Sequence, residues 1–456
     1  MSIGRPMRNE RPFLFCGKAF CIGVHVPSTT AIRSLAALEI LDSRGRPTLE
    51  VRVTLESGVT ATAAVPSGAS TGANEAVEKR DGDPARYGGQ GVLKAVEAVR
   101  GEITASLLGC EATDQKLVDR TLIALDGTPN KSRLGANALL GTSMAVARAA
   151  AQATGQPLYA HLGGNNATLL PMPCFNVLNG GLHADSSLDV QEFMLVPVGA
   201  TSLSEALRCA AETYAAIRQI LHERGLGTAV GDEGGFAPAL SDNEAALALI
   251  VEAAERAGYR PGVDVAIAID PAATSFATKG GYDLARSKTG LLDRAALLAL
   301  YGQWIDRWPI VSIEDGFGED DWDGFVAQTA AQGDRIQVVG DDLLVTNTRF
   351  IAKAIAERAC NAVLIKLNQI GTVTETIDAV TLCREAGWAT MVSHRSGETT
   401  DAFMADFAVA MGSGQLKAGA PCRGERLAKY NRLLAIEAEL GARARFENPF
   451  ARYRCA

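Results

Sequence analysis

Between residues 266 and 417 a short apolar run ends in an ionisable side chain, and then the pattern repeats. AIAID stops at Asp270, PIVSIE at Glu314, QVVGD at Asp341, AVLIK at Lys366, TMVSH at His394 and SGQLK at Lys417. Runs of four to six apolar and β-branched residues read as strands buried on both faces. Helical periodicity fills most of the gaps, at 292–308, 347–360 and 373–387. The charged ends are 44, 27, 25, 28 and 23 residues apart. Most of those steps hold one strand, one returning helix and two short loops. A repeated strand–helix unit predicts a parallel α/β sheet, closed into a TIM-type barrel, whose chemistry lies at the carboxyl ends of the strands. Three carboxylates, two lysines and a histidine are therefore expected around one barrel mouth.

The rest of the chain is read around that barrel. Residues 36–65 alternate, with turn signals at Ser43–Pro47 and Glu56–Gly58, and predict an antiparallel meander. A Gly/Ser loop, PSGASTG (66–72), follows, and then helical segments, the clearest over 132–155. The stretch 163–173 reads as a linker. The expected division is an N-terminal extension over 1–31, a small α+β domain over 32–163 and a barrel domain over 172–456. The first 30 residues lack the clean apolar core of a secretory signal, and a disordered extension fits them better. In the barrel domain a strand runs into a Gly turn at 174–181, helices are expected at 203–224 and 243–257, and Asp232 and Glu233 stand in a glycine-rich turn, VGDEGGFAP.

Composition narrows the partners. A net charge of −8 argues against nucleic acid as a direct partner, because phosphate backbones need a basic face. A local cluster of cations can still take an anionic small molecule. The nine cysteines are scattered without a CxxC, which predicts free thiols in a reducing cytoplasm and no structural zinc site. No apolar run is long enough to cross a bilayer.

Asp270, Glu314 and Asp341 form a hard oxygen donor set that suits Mg²⁺; no His or Cys pair beside them favours zinc. Any one of them alone reads equally well as a helix cap or a surface charge. Lys366 ends an apolar strand, with Lys417 expected nearby. Two cations close together depress each other, which would leave Lys366 free to act as a base; a structural pairing with Asp341 or Glu314 is the competing reading. Glu233 is a candidate acid from the rim, although its turn alone favours a structural carboxylate. His183 and His394 are weak candidates singly. Arg395 beside Ser396 reads as an anion site, a guanidinium fork with a hydroxyl.

Over 36–450 the chain resembles the enolase family. The carrying stretches are EILDSRGRPTLEV, AAVPSGASTG, KSRLGANALLGTSMAVA, NGGLHAD, QEFMLVPVGA, GDEGGFAP, PIVSIED, GDDLLVTN, LIKLNQIGT, SHRSGET and GQLKAGAP, in the family's order. The resemblance implies a modified barrel with a ββαα start behind a small α+β domain. It implies a Mg²⁺-dependent lyase that interconverts 2-phosphoglycerate and phosphoenolpyruvate. Lys366 would take the C2 proton and Glu233 would protonate the departing C3 hydroxyl. Asp270, Glu314 and Asp341 would hold one Mg²⁺, and Ser70 in the loop would join a second. His183, Gln191, Glu192, His394, Arg395, Ser396 and Lys417 would line the substrate site. A homodimer or larger homo-oligomer in the cytoplasm is implied too, with surface or secreted display as a secondary location.

The sequence departs from the family's usual pattern at Arg46, Thr274, Ser275, Gly316, Thr400 and Ala418. None of these is a proposed catalytic or metal residue. Two rivals are a dehydratase or racemase acting on another α-hydroxy acid, and a non-catalytic scaffold. The pairing of Lys366 with Glu233 and the SHRS segment favour the phosphorylated substrate.

Overall fold

The computed structural model describes residues 28–68, 72–183 and 187–453. The first sheet is the expected meander: β1 (Ile32–Leu41), β2 (Pro47–Leu55) and β3 (Thr60–Ala64), antiparallel in that order. Gly45 and Gly58 turn it at φ +70° and +85°, where a side chain would be strained. A long helix covers it, and a second helix packs against that one. Helix α1 (Gln115–Asp126) is capped by Asp114, whose carboxylate accepts from Leu117 N–H. Helix α2 (Ala136–Ala153) begins later than its periodicity suggests because Gly135 takes φ +102°. It lies so close on β2 that a Cβ at Gly141 would come within 2.7 Å of Val51.

Eight further strands close a barrel: β4 (Met172–Asn179), β5 (Glu192–Val196), β6 (Ala266–Asp270), β7 (Ile310–Glu314), β8 (Gln337–Gly340), β9 (Ala362–Ile365), β10 (Ala389–Ser393) and β11 (Gly414–Lys417). Strand β5 is antiparallel to both neighbours and every other pair is parallel. The reversal follows from the connections. The segment 180–191 joins β4 to β5, and two helices, α3 (Leu203–Glu223) and α4 (Asn243–Arg256), lie between β5 and β6. This is the ββαα start. The remaining strands alternate with α5 (Arg294–Arg307), α6 (Trp322–Gln332), α7 (Thr348–Glu357), α8 (Val373–Glu385) and α9 (Phe403–Met411), and α10 (Gly424–Leu440) closes the ring.

Strand alternation decides where chemistry can sit. One set of residues packs inside the barrel: Met172 and Cys174, Met194 and Val196, Ala266 and Ala268, Val339, Leu364, Met391. The other set, including Ile267, Ile269, Val338 and Val363, packs outward against the helices. Continuing the inner set by two residues reaches Asn176, Asp270, Asp341, Lys366, Ser393 and, past Gln415, Lys417. Most of these strands therefore have an apolar inner floor, interrupted by the buried, hydrogen-bonded pair Gln337 and Gln415, and a polar inner end. Glu192 begins its strand rather than ending it, yet it joins the same mouth because β5 runs the other way and pairs Glu192 with Asp270. Phe450 and Tyr453 pack against the floor.

The two parts are tied at the mouth. Arg148 on α2 makes a two-pronged ion pair with Asp401, both contacts at 2.6 Å. Ser67, where the Gly/Ser loop begins, exchanges backbone hydrogen bonds with Gly397 at 2.8 and 2.9 Å. A Cβ at Gly397 would lie 2.3 Å from Asp42 Oδ2, so only glycine permits this approach. The six described cysteines are free, and among the described residues no helix is long and apolar enough to cross a membrane.

Candidate active site

The polar inner ends of the strands converge on one cleft. It is lined by six carboxylates (Glu192, Glu233, Asp270, Asp315, Asp341, Asp342) and three fixed cations (Lys366, Arg395, Lys417), with Gln191, His394 and Ser396. Nearly all of them are buried. Glu314 adds another carboxylate, 2.9 Å from Lys417 Nζ.

Lys417 holds the centre. Its ammonium donates to Asp270 Oδ2 at 2.9 Å and to both oxygens of Glu314 at 2.9 and 3.0 Å, and it lies 3.2 Å from Glu192 Oε2. Burial opposes the charge on Lys417, but the surrounding carboxylates outweigh burial and raise its pKa well above the usual lysine value. Burial and the crowding of like charges push Glu314 and Glu192 well above the carboxylate range. One ammonium does not neutralise the cluster, and that shortfall of positive charge is what a bound divalent cation would supply.

Lys366 takes the competing reading of the sequence, a pairing with Asp341. Its ammonium is paired with Asp341 Oδ2, and Gln369 Nε2 donates to the other oxygen of Asp341 at 2.9 Å. Burial and Arg395 work to lower Lys366, but Asp341, Glu314 and Asp342 together outweigh them and the pKa is raised. The two lysines do not depress one another as expected, because each has its own carboxylate partner. Asp341 also belongs to a second group: its ligand oxygen lies within 4.8 Å of those of Asp315 and Asp342. Asp315 is turned to structural use, accepting the backbone N–H of Asp341 and of Asp342 at 2.9 Å each. It does so from a left-handed conformation, φ 42°, and Ala272, which donates to Asp270 Oδ1, stands at φ 47°. Strain at residues that aim carboxylates is a mark of a functional site.

On the opposite side stands Glu233. Asn176 Nδ2 donates to its Oε2 at 2.9 Å, and His394 Nε2 faces the same oxygen at 3.3 Å. The glycines of the turn are required. Gly234 has φ +89°, and a Cβ at Gly235 would lie 2.5 Å from Asn179. Burial lowers the His394 pKa to about 4, so the ring is neutral at ordinary pH. Arg395 makes a two-pronged contact with Glu75, at 2.9 and 3.1 Å, and donates to Asn368 at 3.0 Å. Glu75 also accepts from Gly72 N–H at 3.1 Å and from Gln369, so a residue just beyond the Gly/Ser loop occupies the expected anion fork. Gln191 lines the cleft with a buried Oε1 that has no hydrogen-bond partner among the described residues.

The structure thus brings together Gln191, Glu192, Glu233, Asp270, Glu314, Asp341, Lys366, His394, Arg395, Ser396 and Lys417. His183 ends the short turn Gly181–His183 near the β4–β5 connection. Ser70 and residues 1–27 of the expected extension lie outside the described residues. Sequence reasoning missed Glu75, Asn176, Asp315, Gln369 and Arg426. Asp315 and Gln369 carried a signal, since they lie inside the quoted stretches PIVSIED and LIKLNQIGT, and Glu75 closely follows AAVPSGASTG. Of the unusual residues, Gly316 has a local match: a Cβ there would lie 2.7 Å from Gln328 Oε1, while its carbonyl accepts from Tyr301 at 3.0 Å.

Comparison with known proteins fits this geometry. The family model described as "Enolase, N-terminal domain" matches residues 32–162, and "Enolase, C-terminal TIM barrel domain" matches 167–453. The chain is 62% identical to "Enolase 1" of Methylococcus capsulatus over 415 residues, 91% of this chain and 99% of that protein. It is 59% identical to "Enolase" of Desulfotalea psychrophila and 57% identical to "Enolase" of Acidothermus cellulolyticus. Those matches also cover 91% of this chain, and 98% and 96% of the relatives.

Proposed function

The chain belongs to the enolase family and interconverts 2-phosphoglycerate and phosphoenolpyruvate plus water, and we propose that Lys366 takes the proton from C2 while Glu233 assists loss of the C3 hydroxyl. The observation that carries this assignment is that Lys366 and Glu233 line one cleft that is rich in carboxylates. The C2 proton is weakly acidic because its neighbour is already a carboxylate, so its removal needs fixed positive charge close by.

The family is metal-dependent, and the donor set fits a hard cation. The site is all oxygen, in excess of its cations, and holds an ammonium at its centre. We assign Mg²⁺, with Asp270, Glu314 and Asp341 as its ligands and Ser70 joining a second ion. When bound, the metal supplies positive charge against the substrate carboxylate. The protein does the rest. Lys366 acts as a base once the charge of Asp341 is engaged elsewhere. Lys417 stays protonated and offsets charge developing on the substrate carboxylate. Arg395 and Ser396 would hold the phosphate once it takes the place of Glu75 on the Arg395 fork, with His183, Gln191, Glu192 and His394 around the substrate. The family resemblance implies that the Gly/Ser loop, of which residues 69–71 lie outside the described residues, would close over the cleft during turnover and exclude water.

The proposed division is 1–31, 32–163 and 172–456. The proposed assembly is a homodimer or larger homo-oligomer, a reading supported by Leu38 and Leu41, which lie 55% and 56% exposed on β1. A cytoplasmic location suits a glycolytic substrate and the free thiols. The test is a coupled assay of the purified chain with 2-phosphoglycerate. Product is expected with Mg²⁺ and none with excess chelator; no Mg²⁺-dependent product refutes the assignment.

A further inference from the structure

We propose that Arg426 is a positioning residue for this reaction: by donating to His394 Nδ1 it fixes the imidazole in its Nε2–H form and turns that N–H onto Glu233. The inference rests on the reading of Glu233 as the acid. Arg426 lies on α10 and is 0% exposed. Its Nη1 lies 2.6 Å from His394 Nδ1 and donates to the Arg395 carbonyl at 2.6 Å. Its Nη2 donates to the carbonyls of Asp232 and Ser396 at 2.9 and 2.7 Å.

A guanidinium has only donors and does not give up its proton. The nitrogen facing it must therefore accept, and in a neutral imidazole the single proton then sits on Nε2. The imidazolium is excluded for the same reason, since it would set N–H against N–H. The charged groups around the ring act in the same direction or are outweighed. Glu233 and Glu398 favour protonation, while burial and Arg426 oppose it and prevail.

The consequence falls on Glu233. Its Oε2 faces the Nε2–H of His394 and accepts from Asn176. With Asn176 donating to Oε2 and the His394 Nε2–H beside that oxygen at 3.3 Å, the proton that Glu233 gives to the departing hydroxyl is assigned to Oε1. The other tautomer would present a bare lone pair to Oε2 and draw the acid's proton there, away from the substrate. Arg426 also spans the two segments that carry these residues, through the carbonyls of Asp232 and Ser396. A buried cation is an expensive tie between a helix and a loop, and apolar packing would serve as well if tying were its whole task.

The first measurement needs no variant and no substrate. In the full chain labelled with ¹⁵N-histidine, one of five rings, assigned by its loss in His394→Gln, is expected to show a protonated Nε2 and a bare Nδ1 at pH 7 and still at pH 5.5. An Nδ1–H ring or an imidazolium at pH 7 overturns the proposal. Because this is read without turnover, it stands apart from any failure of the activity itself. The second measurement uses Arg426→Ala, confirmed folded by circular dichroism. Its kcat is expected to fall roughly 10- to 100-fold with KM for 2-phosphoglycerate within about threefold, and added guanidinium ion is expected to restore part of the rate. Retained kcat, or a folded variant whose His394 keeps the Nε2–H form, overturns the proposal.

Discussion

The Asp315 carboxylate accepts the backbone N–H of Asp341 and of Asp342, one to each oxygen and both at 2.9 Å. A single side chain on the loop after β7 thus fixes the direction in which the β8 end presents its own carboxylates. Asp315→Asn can satisfy only one of those N–H groups. We expect the variant to fold and to bind Mg²⁺ about 10- to 100-fold more weakly, the usual cost of losing a residue that orients a ligand. Calorimetric titration checks this, and unchanged affinity would show that Asp341 is held by other means.

Lys366→Ala should remove the base without removing the ligands. Turnover is expected to fall by at least about 10²- to 10⁴-fold, while Mg²⁺ still binds, because Asp341 keeps its contact from Gln369. A fully active variant would refute the assignment of the base.

Gly316 stands against Gln328, and the two are matched. Gly316→Pro restores the residue usual in the family, but it forces ring atoms toward Gln328 Oε1, where even a Cβ would lie at 2.7 Å. The single variant is expected to lose about 1–3 kcal/mol of stability, and Gln328→Ala is expected to recover part of that loss. Urea denaturation of the four proteins of this cycle measures the coupling; additive effects would show that the pair is independent.

His394 sets a pH dependence. Its pKa is about 4 in the folded chain and 6.5 when unfolded. A histidine held below its unfolded value stabilises the fold above pH 6.5 and loses that contribution as pH falls from 6.5 toward 4, because the unfolded chain takes up the proton first. The gap corresponds to about 3 kcal/mol. Unfolding midpoints at pH 7, 5.5 and 4.5 should therefore fall more steeply for the natural chain than for His394→Gln. Parallel curves would count against a buried neutral ring.

Much of the barrel was legible because buried strands and returning helices leave strong periodic marks. The mouth was legible because each strand's inner face ends in a residue that breaks an apolar run. Glu192 breaks the rule of charged strand ends, since β5 runs backward, and only the family resemblance placed it. Arg426 shows where sequence patterning stops. On α10, Arg426, Lys429 and Arg432 recur every third residue. The first two are 0% and 1% exposed, while Arg432 reaches the surface to pair with Asp406 and Glu439. Helical spacing assigns all three to a neighbourhood but does not say which one is sealed against the barrel. The pairing of Lys366 with Asp341 was open for a similar reason. Spacing brings ionisable ends together, and their mutual orientation follows from Asp315, on a loop, and Gln369, on the single-turn helix Leu367–Ile370.

Lys417, held by Asp270, Glu314 and Glu192, makes the protein its own counter-ion. A site this acidic would otherwise repel itself whenever the divalent ion left, and the barrel mouth would swell or recruit the nearest metal and keep it. With an ammonium tethered among the carboxylates, an arriving ion must displace or share an existing partner. The binding energy is therefore a difference between two attractions and not the whole of one. Such a mouth fills when the ion is abundant, empties when it is scarce, and remains folded in both conditions.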